Sequence, residues 1–132
     1  MLDAGLMAAL AALRDAKVPH VIVDDRGKIT YGGRKTDESS NNTAVEGKIE
    51  VAAAPVAVTT ALYRKHLIVD PDVEEEQLAD ATVTVTMDGA TVVGVHKPGG
   101  TAEASETDLM HCVAACRLNL EARAKAIDAA FA

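Results

Sequence analysis

Aromatic residues are scarce in this sequence, which has two Tyr, one Phe and no Trp among 132 residues. The core must therefore be built from aliphatic side chains, and a surface that stacks nucleic-acid bases on exposed rings is not expected. Basic residues are also few, because 13 Lys and Arg stand against 20 Asp and Glu. The resulting net charge of −7 predicts that the chain alone binds RNA or DNA poorly.

Long apolar runs and a second pair of cysteines are missing as well. No apolar run approaches the roughly 18 residues of a membrane span, so we expect a soluble intracellular protein without a membrane partner. Cys112 and Cys116 lie four residues apart in a predicted helix, which places their Cβ atoms about 5–6 Å from each other. A disulfide needs about 3.5–4.5 Å, so reduced thiols are expected. A zinc site with His111 lacks a second cysteine pair, and core packing is the preferred interpretation.

Alternating residues in the middle of the chain predict an antiparallel sheet. The clearest strand covers Thr82 to Met87, where Val and Met alternate with Thr, and Asp88-Gly89 predicts a hairpin turn after it. Further strands are expected at 18–24, 28–31, 56–63 and 66–70, and at 91–96 after the hairpin turn.

Helical periodicity appears at both ends. Leu2, Leu6, Leu10 and Leu13 recur at helical spacing, and a longer apolar stripe follows a capping box at Ser105 and Asp108. These patterns predict an α+β fold, a largely antiparallel sheet with a leading and a trailing helix packed on one face. We expect a single domain over residues 1–132, with a mobile polar loop at 32–46.

The densest charge lies in the segment from Asp70 to Glu76. Carboxylates at a strand end can bind Mg²⁺, with Asp70, Asp72 and Glu76 as the candidate ligands, or can act as general acids. The alternative is a solvated turn followed by a short helix, whose N-terminus favours acidic residues. Spacing alone leaves both open.

The segment from His96 to Gly100 contains a Lys and two Gly, yet it lacks the spacing of a phosphate-binding loop. We interpret Gly99-Gly100 as the exit from the last strand toward the closing helix. The residues themselves therefore predict an α+β domain without a convincing active site.

Several blocks together resemble the RNase PH family, in particular the exosome ring subunits that do not carry catalysis. The matching blocks are Leu2 to Leu13 with Val18-Pro19, Leu67 to Pro71, Glu74 to Glu76, Ala81 to Met87, and His96 to Gly100. The resemblance spans nearly the whole chain except the polar loop. It implies the C-terminal half of an RNase PH domain, with a ribosomal protein S5 domain 2-like fold.

The resemblance implies a ring of RNase PH-type subunits, topped by cap proteins, that threads RNA for 3′-to-5′ processing and degradation, including rRNA maturation. A cytoplasmic and nuclear or nucleolar location is then expected. Active members use phosphate and Mg²⁺ and carry an aspartate pair, of which Asp70 matches the first and Glu76 departs from the second. The added methylene moves a carboxylate by roughly an ångström, and an error of that size can cost about a hundredfold in rate. Asp70 and Glu76 thus look like the remnant of a catalytic site.

Three functional hypotheses follow. The preferred one is a structural ring subunit without a cofactor, and the alternative is a phosphorolytic 3′–5′ exoribonuclease. A small interaction domain unrelated to the ring is the third. The family domain is about twice as long as this chain, so the region that packs against its other half is expected to be apolar and to promote self-association.

Overall fold

The computed structural model describes residues 2–19, 21–31 and 47–130. The helices are α1 (Leu2–Asp15), α2 (Val73–Leu78) and α3 (Glu106–Ala129). The strands are β1 (Lys17–Val18), β2 (Val21–Val23), β3 (Ile29–Tyr31), β4 (Gly47–Lys48), β5 (Val56–Tyr63), β6 (His66–Val69), β7 (Ala81–Asp88) and β8 (Thr91–His96). The loop predicted at 32–46 lies outside the described residues.

The chain divides into two compact units, one of Met1–Leu10 with Ala52–Ala132 and one of Ala11–Val51. A single domain over residues 1–132 stays a prediction. The second unit contains two short antiparallel pairs, β1 with β4 and β2 with β3. Asp24 closes the β2–β3 turn by accepting the backbone N–H groups of Arg26 and Lys28 on its carboxylate. The buried strand predicted at 18–24 is interrupted, and Val23 is exposed.

The first unit is built on a four-stranded antiparallel sheet in the order β6-β5-β7-β8. Val58 lies opposite Val85 and Thr59 lies opposite Thr84. The two valines therefore point to one face of the sheet and the two threonines to the other. The hairpin predicted at Asp88-Gly89 joins β7 to β8. A register shift beside Thr86 and Met87 interrupts the β7–β8 ladder, and the sequence pattern gave no sign of it.

Helix α3 covers one face of this sheet. A capping box between Ser105 and Asp108 begins the helix as predicted, and two buried cysteines anchor it to the strands. The core between helix and sheet contains Val58, Leu62, Ala81, Val83, Val85, Met87, Cys112 and Cys116. The aliphatic core predicted from the lack of aromatic residues is therefore confirmed.

The start of α1 meets the other face of the sheet. Leu2 and Leu6 line a cavity together with Ala57, Thr84 and Thr86, whose side chains point away from the α3 side. The predicted α+β fold, an antiparallel sheet with a leading and a trailing helix, is confirmed. The prediction that both helices pack on one face is wrong, because the start of α1 lies on the face opposite α3. The start of α1 is held on the face opposite α3 by Asp3, because the Asp3 carboxylate accepts the hydroxyl of Thr59, a residue of that face.

Candidate functional site

Asp70 follows directly after β6, at the strand end where the acidic segment begins. Its φ of 56° lies in the left-handed region, which aspartate tolerates better than most residues. Its backbone N–H donates to the carbonyl oxygen of Thr59 at 3.0 Å, which continues the pairing of β6 with β5 by one residue. The backbone of Asp70 is thus fixed, while its side chain is 73% exposed.

Asp72 has a structural role instead. Its carboxylate accepts the N–H of Glu75 at 2.8 Å, and the Glu75 carboxylate accepts the N–H of Asp72 at 2.9 Å. This reciprocal pair is a capping box that begins α2. The structural interpretation of the acidic segment therefore holds for Asp72.

Asp70 and Glu76 do come together, since both line a cavity of about 360 Å³. The start of α1, the middle of β5, the segment from Asp70 to α2 and the second half of α3 surround this cavity. Its polar lining residues are Asp3, Thr59, Asp70, Glu76 and Arg123. We call this cavity the acidic cleft; Asp72 is not among its lining residues.

Arg123 is the basic residue of the acidic cleft. Its Nη1 lies 3.1 Å from Oδ2 of Asp3 and donates to the carbonyl oxygen of Ala57 at 3.0 Å. Its Nη2 lies 3.4 Å from Oδ2 of Asp70. The guanidinium thus joins two carboxylates that are 67 residues apart in the sequence and a backbone carbonyl.

Asp3 is the buried partner of Arg123, with a side chain that is only 10% exposed. Its Oδ2 also accepts the backbone N–H of Thr59 at 2.8 Å, and its Oδ1 accepts the Thr59 hydroxyl at 2.6 Å. The Thr59 hydroxyl lies 2.9 Å from that of Thr84 on the neighbouring strand. The carboxylate is therefore satisfied on both oxygens, as a buried charge requires.

Asp3 and Arg123 were not predicted from the sequence as site residues. Two spacings could have identified them. Arg123 lies seven residues after Cys116 and four before Ile127, both of which are buried on the inner face of α3. Asp3 precedes the buried Leu10 by seven residues, whereas Leu2 of the apolar pattern is 53% exposed. A charged residue at the helical spacing of buried neighbours indicates a buried ion pair.

Neither a metal ion nor a phosphate fits the acidic cleft. In the three described ranges no group of three or more His, Cys, Asp or Glu side chains is placed to hold a metal ion. The guanidinium of Arg123 is already bound to Asp3 and to a backbone carbonyl. Three carboxylates against one paired guanidinium give an anionic lining, which repels phosphate. No catalytic step through either group is therefore assigned to this chain.

The two cysteines belong to the core, as the sequence predicts. Both are free thiols, and both are buried. Cys112 Sγ lies 3.1 Å from the hydroxyl oxygen of Thr60, and Cys116 Sγ donates to the carbonyl oxygen of Val85 at 3.5 Å. Burial raises the pKa of both thiols above the ordinary value of 9.0, which disfavours the reactive thiolate.

The two glycines after β8 shape the backbone where it leaves that strand. Gly100 has a φ of 109°, and a Cβ placed on it would lie 2.5 Å from the carbonyl oxygen of Asp80. That carbonyl accepts the N–H of Thr101 at 2.7 Å. Lys97 donates to the carbonyl oxygen of Gly99, so its ammonium caps the same turn. The structural interpretation of this segment is confirmed.

Among the residues that the structure describes, no helix combines the length and the apolar character that a bilayer crossing requires.

Comparison with known proteins identifies the family. Residues 53–116 match the 3′ exoribonuclease family, domain 2. The chain is similar to the exosome complex component Rrp42 of Sulfurisphaera tokodaii, with 32% identity over 117 residues that make up 86% of this chain and 38% of the relative. It is also similar to the Rrp42 component of Pyrobaculum aerophilum, with 28% identity over 98% of this chain and 42% of that relative. The chain thus spans less than half the length of these relatives.

Solved structures agree with the sequence comparison. An archaeal exosome core matches 94% of this chain and 43% of its own chain, with a TM-score of 0.69 and 27% identity. The Archaeoglobus fulgidus exosome with RNA bound to the active site matches 94% of this chain and 42% of its own, with a TM-score of 0.66 and 29% identity. The chain therefore belongs to the RNase PH family of 3′ exoribonucleases, and residues 53–116 form domain 2 of that family.

Proposed function

We propose that this chain is the C-terminal portion of an exosome core ring subunit, with a role in ring assembly and RNA threading during 3′-to-5′ RNA processing. The observation that carries the proposal is the similarity to an exosome component along 98% of the chain. The fold supports it, since two exosome structures match 94% of the chain. The net charge of −7 favours protein partners over direct binding of RNA by the isolated chain.

The partners in this proposal are other RNase PH-type subunits and the cap proteins of the ring. Pull-down of the tagged chain from its own cells tests them, with the tag alone as the control. Co-purification of the other ring subunits and of the cap proteins is expected. Recovery of the tagged chain without any ring subunit would refute the proposal and would favour a separate interaction domain.

A location in cytoplasm and nucleus stays a prediction.

The proposed role does not include catalysis, for two reasons. Arg123 pairs with Asp70, and the second acidic position of the cleft is Glu76, where the resemblance implies an aspartate. The test is phosphate-dependent release of nucleoside diphosphates by particles assembled with this chain. We expect the rate to be unchanged by Asp70→Asn and Glu76→Gln. Glu74→Gln is a matched control, because Glu74 is an exposed acid of the same helix that does not line the cleft.

The alternative function is phosphorolytic 3′–5′ exoribonuclease activity. One observation favours it, namely that Asp70 and Glu76 line the same cleft. Under this alternative Asp70→Asn and Glu76→Gln each abolish release of nucleoside diphosphates, while Glu74→Gln leaves it intact. The same assay thus separates the two functions.

We also propose that the isolated chain self-associates through β8. This strand lies at the edge of the sheet, and Val92, Val93 and Val95 are 41%, 57% and 51% exposed. An exposed apolar edge strand can pair with another chain. Sedimentation over a range of concentrations should show association that Val93→Lys reduces. A monomer at every concentration would contradict this proposal.

A further inference from the structure

The acidic cleft differs from a metal-binding aspartate site in one respect, which is the position of Arg123. A carboxylate that binds Mg²⁺ directs its oxygens at the ion, and a positive side chain beside the carboxylate repels that ion. Here Oδ2 of Asp70 lies 3.4 Å from Nη2 of Arg123, within the range of an ion pair. The side of Asp70 that faces the cleft is therefore already opposite a positive charge.

The guanidinium does not depend on Asp70 for its position. Asp3 and the carbonyl of Ala57 both bind Nη1, at 3.1 and 3.0 Å, and the Arg123 side chain is only 18% exposed. By contrast, the side chain of Asp70 is 73% exposed. Arg123 is thus held by buried contacts that persist when Asp70 moves, so a metal ion cannot displace it by competing for Asp70 alone.

We propose that the guanidinium of Arg123 takes the place of a cation beside Asp70 and so prevents Asp70 and Glu76 from recruiting a divalent metal ion. A divalent ion bound to Asp70 would lie about 5 Å from this charge, and even at the dielectric constant of water the repulsion weakens binding by roughly tenfold. The inference rests on the proposed non-catalytic function and supplies a physical reason for it.

Binding of Mn²⁺, followed by the loss of its free electron paramagnetic resonance signal, tests the proposal on the whole chain. The wild-type chain should show no saturable site below millimolar concentration. Arg123→Gln should gain a site that is at least about tenfold tighter, and adding Asp70→Asn should remove that gain. Arg117→Gln is the control for net charge, because Arg117 is an exposed residue of the same helix and does not line the cleft.

Arg123→Gln leaves Asp3 buried without its partner, so the variant can lose its fold. The double variant Asp3→Asn with Arg123→Gln removes both charges and keeps side chains that can bond Thr59. It should show a gain of a few-fold that Asp70→Asn again removes, with a far-ultraviolet spectrum like that of the wild type.

Two results would overturn the proposal. One is wild-type binding of Mn²⁺ as tight as that of the folded variants, and the other is a gain that survives Asp70→Asn. Neither measurement uses RNA or partner subunits. Failure here therefore leaves ring membership intact, and failure to co-purify ring subunits leaves the metal result intact.

Discussion

Replacement of Asp3 by Ala is the sharpest test of how the acidic cleft is held together. The carboxylate accepts three hydrogen bonds, two from Thr59 and one from Arg123, and it is 10% exposed. Asp3→Ala leaves the Arg123 guanidinium with only Ala57 and the exposed Asp70 as partners. It also leaves the Thr59 N–H, at an unpaired part of the strand, without an acceptor.

Loss of one partner from a buried ion pair costs about 3–5 kcal/mol. Because a domain of this size has about 5–15 kcal/mol of stability in total, Asp3→Ala should remove a large part of it. Urea unfolding followed by far-ultraviolet circular dichroism measures the loss, since the chain contains no Trp for fluorescence. The midpoint should fall while the slope stays unchanged.

Glu121→Ala is the matched control. Glu121 also pairs with a basic residue, Lys125, but at 3.7 Å and with 86% of its side chain exposed. A pair of this kind contributes about 0.3–0.5 kcal/mol.

The variant that combines Asp3→Asn with Arg123→Gln should lose less free energy of unfolding than the sum of the two single changes. The difference is the coupling between the two side chains, about 1–3 kcal/mol. Equal losses in Asp3→Ala and Glu121→Ala would refute the buried ion pair.

Three further predictions concern the turn, the thiols and the short helix. Gly100→Ala should lower the free energy of unfolding in urea by more than about 2 kcal/mol, because the added Cβ meets backbone atoms. Gly89→Ala should lower it by about 1 kcal/mol, because the added Cβ meets open space. Similar losses in the two variants would contradict this. Cys112 and Cys116 should react with a thiol reagent only on unfolding, and prompt labelling of the folded chain would contradict this. Since burial raises the pKa of both thiols, their contribution to the free energy of unfolding should be complete below pH 9.0 and should fall as the pH rises above it. Asp72→Ala should lower stability by about 1 kcal/mol by removing the cap of α2; an unchanged urea midpoint would contradict it.

Local patterns were sufficient to predict most of the sheet and α3. The alternation from Thr82 to Met87 matches β7, and the capping box at Ser105 matches the start of α3, because both signals arise from neighbours in the sequence. The register shift near Met87 was not predictable, since it depends on how two strands fit against the rest of the sheet. Asp70 and Glu76 were identified from the sequence because they stand in one short charged segment.

Asp3 and Arg123 were missed for a physical reason. Each is a charged residue on a helix, and the usual expectation is a solvated side chain. Their burial is stable only because they are 120 residues apart in sequence yet 3.1 Å apart in space. A single helix pattern cannot show such a pair, although the seven-residue spacings to Leu10 and Cys116 indicate the inward face.

The pairing of the strands explains why the chain keeps this ion pair whether or not the cleft is catalytic. β6 pairs with β5 from Thr60 to Tyr63, and the Asp70 N–H extends this pairing to the Thr59 carbonyl. The Thr59 N–H and the Ala57 carbonyl are left without a backbone partner from β6. The Asp3 carboxylate accepts the Thr59 N–H, and the Arg123 guanidinium donates to the Ala57 carbonyl. The two side chains thus replace the acceptor and the donor of a missing strand, and buried backbone groups need such partners in any fold. A role in stability is therefore sufficient to account for Asp3 and Arg123, and a catalytic interpretation of the acidic cleft must depend on Asp70 and Glu76 alone. Since Asp70 faces the guanidinium that binds Asp3 and the Ala57 carbonyl, one arginine both stabilises the fold and opposes the binding of a metal ion beside Asp70.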